Sequence, residues 1–218
     1  MKILVTGGAG YIGSITTQIL CDSQHNVVVF DNLERGYRQA VDQRAKFIQG
    51  DLRNKQDIFK ALDYEKPDAV IHFAAYKAVG ESVDFPLMYY KNNLSSLVSV
   101  LECMKENNVH ELVFSSSCTV YGEPKDVKEV TEDSPKVEAN SPYGNTKKIG
   151  EQIIKDLCDC NKAFSAIALR YFNPIGAHSS AKIGELPIGV PQNLVPFVTQ
   201  TAIGIRKELS IFGNESII

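Results

Sequence analysis

The chain has 218 residues, 44% hydrophobic and 22% charged, with a formal net charge of −3. This composition excludes a wholly disordered chain, and the charge balance offers no surface for nucleic acid or an anionic membrane. No apolar run approaches the roughly 18 residues that span a bilayer, and Ile3-Leu4-Val5 is too short for a signal peptide core, so a cytoplasmic protein of one large domain, or one domain plus a short appendage, is expected.

Short β-branched runs alternate with longer helical stretches. Strands are predicted at 2–6, 26–30, 46–49, 69–73, 111–115 and 164–170, mostly as continuous apolar runs of the kind buried on both faces of a parallel sheet. Helices are predicted between them at 11–23, 55–64, 86–107 and 143–160. Leu94, Leu97, Val98, Leu101 and Met104 fall at helical spacing in the third, and Ile149, Ile153, Ile154 and Leu157 in the fourth. Repeated β-α-β units imply an α/β fold with a Rossmann-like, doubly wound parallel sheet. Long loops at 116–142 and 172–191 follow the fifth and sixth strands, where such folds bind ligands; tolerated surface insertions are the alternative.

The first loop, Gly7-Gly8-Ala9-Gly10-Tyr11-Ile12-Gly13, leaves a strand and opens a helix. It matches both G-x-G-x-x-G and G-x-x-G-x-x-G. Either spacing gives a tight turn, a close backbone approach to a pyrophosphate and a helix N-terminus with unpaired N–H groups. Asp31 ends the second strand, where a carboxylate accepts hydrogen bonds from a ribose diol and repels a 2′-phosphate, favouring NAD over NADP. Arg35 is close enough in sequence to meet a phosphate instead. Asp51, in Gly50-Asp51-Leu52, fits a contact to adenine or a simple turn acid.

Two Tyr-x-x-x-Lys pairs occur, Tyr121/Lys125 and Tyr143/Lys147. On a helix this spacing puts both side chains on one face, and an ammonium there lowers the tyrosine pKa and makes a usable base. Gly122 and Pro124 exclude an ordinary helix for the first pair. The second opens an apolar-periodic helix behind Ser141-Pro142, so Tyr143 is the candidate base. Ser115-Ser116-Ser117, at the end of the fifth strand, supplies either turn chemistry or a hydroxyl that steadies charge on a substrate oxygen. The five cysteines are odd in number in a chain of ordinary size, so neither a disulfide framework nor a metal site is expected; Cys158-Asp159-Cys160 is no standard zinc spacing.

Ordered blocks along the chain resemble the nucleotide-sugar epimerases of the extended short-chain dehydrogenase/reductase family. They include GGAGYIGS (7–14), VIHFAAYKAVGESV (70–83), SSSCTVYGEP (115–124), SPYGNTK (141–147), LRYFNPIGAH (169–178) and PQNLVPFV (191–198). The resemblance implies NAD as cofactor. Gly7, Gly10, Tyr11, Ile12 and Gly13 would hold its pyrophosphate, Asp31 and Asn32 its adenosine ribose, and Asp51 and Leu52 its adenine. Phe73, Ala74 and Ala75 would line it, Lys77 and Asn92 would lie near its ribose and phosphates, and Tyr171 and Phe172 beside its nicotinamide. Ser117, Tyr143 and Lys147 would be the catalytic set. Ser117, Tyr143, Asn173, Asn193, Leu194 and Phe212 would meet the substrate, the last four at its UDP end.

The implied reaction is inversion at C4 of a UDP-hexose, UDP-galactose to UDP-glucose, through a 4-keto intermediate. A homodimer would form through a four-helix interface of 86–107 and 143–160. A 4,6-dehydratase of the same family uses an Asp-Glu pair where this chain has Cys118-Thr119; a reductase, an inactive NAD-binding fragment and an interaction module are further alternatives. Ile15 stands where the family usually has histidine, and Asn145 where it usually has a basic residue. Family members also continue beyond the FGN of 212–214. The expected division is therefore an NAD-binding domain at 1–173 and, at 174–218, the beginning of an incomplete substrate domain.

Overall fold

The computed structural model describes residues 1–123 and 129–211. The chain divides into two compact units, Met1–Pro174 and Ile175–Ile218. The first is built on six strands: β1 (Lys2–Thr6), β2 (Asn26–Asp31), β3 (Lys46–Gln49), β4 (Ala69–His72), β5 (Glu111–Ser115) and β6 (Ser165–Leu169). All pair in parallel, in the order β3-β2-β1-β4-β5-β6. The order reverses at β1, and open α/β sheets bind ligands beyond the carboxyl ends of strands at that point.

The pleat sorts the apolar run of each strand between two layers. Leu4, Val28, Phe30 and Val70 join Ile58 and Leu62 of α2 (Lys55–Glu65), Leu97, Leu101 and Met104 of α4 (Pro86–Glu106) and Ile154 of α5 (Pro142–Cys160). Ile3, Val5, Val27 and Val29 face the other way, against Cys21 of α1 (Tyr11–Asp22) with Val41 and Ala45. The doubly wound fold expected from the alternation of elements is thus present. Val98 departs from the expected apolar stripe of α4: it is exposed, while Val100 is buried.

Helix boundaries follow local chemistry. Asn54 caps α2, its side-chain oxygen accepting from the Gln56 N–H. The Ser141 hydroxyl accepts from the Gly144 N–H, and Pro142 takes the first helical position of α5. α3 (Val79–Asp84) is a short helix that the sequence pattern did not indicate, and a 3₁₀ turn at Cys118–Tyr121 opens the long loop after β5. The far edge of the sheet is thinly covered, with Ile167 of β6 61% exposed.

In the second unit the described residues form α6 (Leu194–Ala202), also not anticipated from sequence. Arg206 Nε donates to Gln200 Oε1 at 2.8 Å, and its guanidinium lies 4.8 Å from the Phe197 ring centre. Only Pro191 and Pro196 are buried among this unit's described residues. Among the described residues, no helix of the chain is long and apolar enough to cross a membrane.

Candidate active site

The glycine loop after β1 is shaped by backbone crowding. Gly7 has φ +73°, and a Cβ there would stand 2.6 Å from the Ala74 nitrogen; a Cβ on Gly13 would stand 2.2 Å from the Gly7 carbonyl oxygen. Only glycine tolerates such contacts, and they draw α1 and the end of β4 onto the loop. Gly10 caps α1 in extended conformation, and no side chain caps the helix start. Tyr11 and Ile12 form its first turn, where partial positive charge favours an anion.

Asp31 stands beside this loop. Its carboxylate accepts from the Ala9 N–H at 3.0 Å and the Leu33 N–H at 2.8 Å. Burial raises its pKa, and the two backbone donors oppose that rise. Asn32 reaches Asp51 at 3.3 Å, so the residues expected at ribose and adenine come together. Asp51 is also gripped by Arg53, which holds its carboxyl down at about 2, and Leu52 beside it is buried. Arg35 forms a two-pronged pair with Glu81 at 2.8 and 2.9 Å and stacks 4.1 Å from the Tyr76 ring centre. Glu81 also accepts from the Tyr89 hydroxyl at 2.5 Å. The cation left ambiguous by sequence is therefore committed to a carboxylate from α3.

Phe73, Ala74 and Ala75 lead away from β4, with the Phe73 N–H donating to the Thr6 carbonyl at 3.0 Å. Lys77 is exposed; Asn92, on α4, is half-buried and donates to Asn93 Oδ1 at 3.0 Å. His72, fully buried, shares a 2.8 Å hydrogen bond with the Thr6 hydroxyl. Burial, aided by the nearby Lys147 charge, pushes its pKa down to about 3, which keeps the imidazole neutral.

The residues expected to handle protons sit where β5 meets α5. Burial raises the pKa of the Tyr143 phenol, and the Ser117 hydroxyl opposes that rise. Ser117 Oγ accepts from the Thr119 hydroxyl at 2.9 Å and the Thr119 N–H at 3.2 Å. Lys147 is buried, with Nζ 5.9 Å from the Tyr143 ring centre and 5.0 Å from that of Phe114. It donates to the Ser115 carbonyl at 2.6 Å. The sequence suggested that its ammonium would lower the phenol pKa. Here burial raises the phenol, with the Ser117 hydrogen bond as the opposing influence, and burial brings Lys147 down to about 8. The difference arises because the ammonium is spent on a carbonyl and buried beneath the ring.

Behind this pair lies a cluster that sequence reasoning missed. Glu151, one turn beyond Lys147, accepts from Ser116 Oγ at 2.6 Å, from Arg170 Nε and Nη2 at 2.9 Å each and from Lys136 Nζ at 2.5 Å. These donors outweigh burial and hold its carboxyl down at about 2. Arg170 Nη1 continues to the Tyr121 hydroxyl at 2.8 Å. Tyr121 is thus buried structure at the end of the 3₁₀ turn; its partner in the rejected pair, Lys125, lies outside the described residues. The available signal was the spacing Tyr143, Lys147, Glu151, which places all three on one helical face.

Tyr171 is half-buried; burial raises its phenol pKa, with Ser115 opposing, and its carbonyl accepts from the Cys118 N–H at 2.8 Å. Phe172 and Asn173 are exposed in the first unit. Asn193 and Leu194 belong to the second unit, at the start of α6, where Asn193 Nδ2 donates to Glu185 at 2.5 Å. Phe212 lies outside the described residues.

Residues 3–196 match the model of the NAD dependent epimerase/dehydratase family. UDP-glucose 4-epimerase of Drosophila melanogaster is 44% identical over 98% of this chain, which spans 64% of that relative's length. A solved UDP-glucose 4-epimerase from Bifidobacterium longum, in complex with NAD+ and UDP, superimposes with a TM-score of 0.91 at 40% identity, covering 95% of this chain and 64% of that one. The enzyme from Stenotrophomonas maltophila, with bound NAD and formylated UDP-arabinopyranose, gives a TM-score of 0.92 at 42% identity, covering 98% of this chain and 65% of that one. The chain spans less than two thirds of the length of these relatives. Taken with the glycine loop, the acid ending β2 and the Tyr143–Lys147 face of α5, the match over most of its length makes this chain a member of the NAD dependent epimerase/dehydratase family.

Proposed function

We propose that the chain carries the cofactor-binding and proton-transfer part of an enzyme that inverts C4 of a UDP-hexose, interconverting UDP-galactose and UDP-glucose through a 4-keto sugar. The observation that carries this reading is Lys147, buried 5.9 Å from the centre of the Tyr143 ring and donating to the Ser115 carbonyl at the end of β5, two residues before Ser117.

The residues present fit NAD. A side chain at Gly7 or Gly13 would collide with backbone, which suits a loop that holds a pyrophosphate close. Gly10, Tyr11 and Ile12 present the start of α1 to that charge. Asp31 and Asn32 offer acceptors to a ribose diol, and Asp31 repels a 2′-phosphate. Asp51 and Leu52 would meet the adenine, Phe73, Ala74, Ala75, Lys77 and Asn92 the middle of the dinucleotide, and Tyr171 and Phe172 its nicotinamide. When bound, that ring takes up and returns the two-electron equivalent at sugar C4.

Tyr143 Oη accepts the proton of the sugar 4-hydroxyl and later returns it. Ser117 Oγ donates to whichever oxygen carries developing charge. Lys147, brought down to about 8 by burial, lies beside the phenol ring and donates to the Ser115 carbonyl. Asn173, Asn193, Leu194 and Phe212 are the residues we assign to the UDP end. Cys118 and Thr119 provide no acid–base pair for elimination of water, which favours epimerisation over 4,6-dehydration.

We also propose a homodimer through α4 and α5. The two helices lie side by side, joined by Asn93–Thr146 and Asn145–Tyr90 hydrogen bonds, and α4 leaves Leu87 and Val98 exposed. A cytoplasmic setting agrees with five free cysteines. The test of the activity is to supply the purified protein with NAD and UDP-galactose and follow UDP-glucose by a coupled assay. Tyr143→Phe should abolish conversion while NAD still binds; conversion by that variant overturns the assignment.

A further inference from the structure

We propose that Glu151 is a positioning residue of the proton-transfer site, fixing through Ser116 where Ser117 stands relative to the Tyr143 phenol. This rests on the reading of Tyr143 as the proton acceptor.

The Glu151 side chain is only 7% exposed, and a buried carboxylate without partners would be strongly destabilising. Its donors come from three places in the chain: Ser116 just after β5, Lys136 in the long loop and Arg170 just after β6. If its task were only to hold β6 against α5, the arginine would suffice. The Ser116 bond adds something different. Tyr143, Lys147 and Glu151 lie at successive turns of one face of α5. A 2.6 Å bond from Glu151 to Ser116 therefore fixes the end of β5 to the face that presents the phenol.

Ser117 is the next residue. Its oxygen already accepts from both Thr119 donors, and its hydroxyl opposes the rise that burial imposes on the Tyr143 phenol. Arg170 carries the connection further, to the Tyr121 hydroxyl at 2.8 Å and the Glu132 carbonyl at 3.2 Å. One carboxylate thus fastens both described limbs of the 116–142 loop to the helix that bears the base. The anion itself does not exchange protons with substrate. It acts by holding Ser117 in line, and donor placement is sensitive: a shift of about 1 Å can cost on the order of 100-fold in rate.

The test uses the full chain labelled with 13Cζ-tyrosine, the Tyr143 resonance being assigned by its loss in Tyr143→Phe. Ser116→Ala removes the link while leaving the Glu151–Arg170 and Glu151–Lys136 pairs intact. It should displace the Tyr143 resonance, move its titration to higher pH and lower kcat by about 10- to 100-fold with KM within about twofold. Ser116→Thr should restore all three. Glu151→Gln should act in the same direction; if it does not fold, Ser116→Ala still decides. A lower Tm with an unchanged Tyr143 resonance and titration in Ser116→Ala would overturn the proposal. If the parent protein shows no epimerisation, the functional reading fails, while the resonance still reports whether Ser116 positions Ser117.

Discussion

β2 and β6 are both apolar runs in a parallel sheet, NVVVFD and SAIAL, but they live in different surroundings. Val27 to Phe30 are each no more than 1% exposed, whereas Ile167 is 61% and Leu169 37% exposed. β2 has α1 on one face and the α2–α4 layer on the other. β6 is an edge strand held by its hydrogen bonds to β5 and by the charged cluster that joins Arg170 to α5. The cofactor side of the sheet is consolidated by apolar burial, and the β6 margin by polar anchoring. An apolar run reports that a strand exists, but its burial depends on elements far away in the chain.

The largest effect should come from the apolar side, at the loop itself. Gly13→Val places side-chain carbon where a Cβ already meets the Gly7 carbonyl at 2.2 Å. NAD affinity, read by fluorescence titration, should fall by at least about 100-fold, the loss expected when a backbone cradle cannot close. Near-normal affinity would show that the crowding at the loop is not needed. Leu4→Ala empties a site that is fully buried between layers, and should cost about 2–5 kcal/mol in urea unfolding.

Acid should weaken the polar margin in a defined window. The Glu151 carboxyl is held at about 2 when folded, below the unfolded value of about 4.3. As pH falls the unfolded chain takes up this proton first, so the stabilisation is complete above about pH 4.5 and disappears toward pH 2. It amounts to something on the order of 3 kcal/mol. The stability gap between the parent and Glu151→Gln should therefore narrow from about pH 6 to about pH 2.5; a constant gap would mean the cluster does not anchor β6. The smallest effect belongs to Ile167→Ala, expected within about 0.5 kcal/mol because its side chain is already largely in water. A loss as large as that of Leu4→Ala would erase the contrast between the two strands.

The glycine loop, the six strands and the start of α5 were legible in the sequence because each is specified locally. Gly13 answers to a carbonyl six residues away, and Ser141-Pro142 caps the helix it precedes. α3 was not legible: it is six residues long, contains Gly80 and exposes Val79 and Val83, so no apolar periodicity marks it. Glu151 sits in a Gly-Glu-Gln stretch that looks like solvent-facing helix, and its burial depends on the cations at 136 and 170 together with the Ser116 hydroxyl. Arg35 likewise depended on Glu81, 46 residues on. The Tyr143–Lys147 spacing gave the right face of the helix but not the acceptor of the ammonium, because the Ser115 carbonyl comes from a neighbouring strand.

The Arg35–Glu81 ion pair joins the loop after β2 to α3, which follows β4, across the position of β1. Arg35 follows β2 and Glu81 follows β4, and their side chains are 42% and 27% exposed. An exposed contact pair weakens as salt rises, and a buried pair weakens less. Raising salt should therefore loosen the tie between α3 and the end of β2 more than it loosens the better buried Arg170–Glu151 pair.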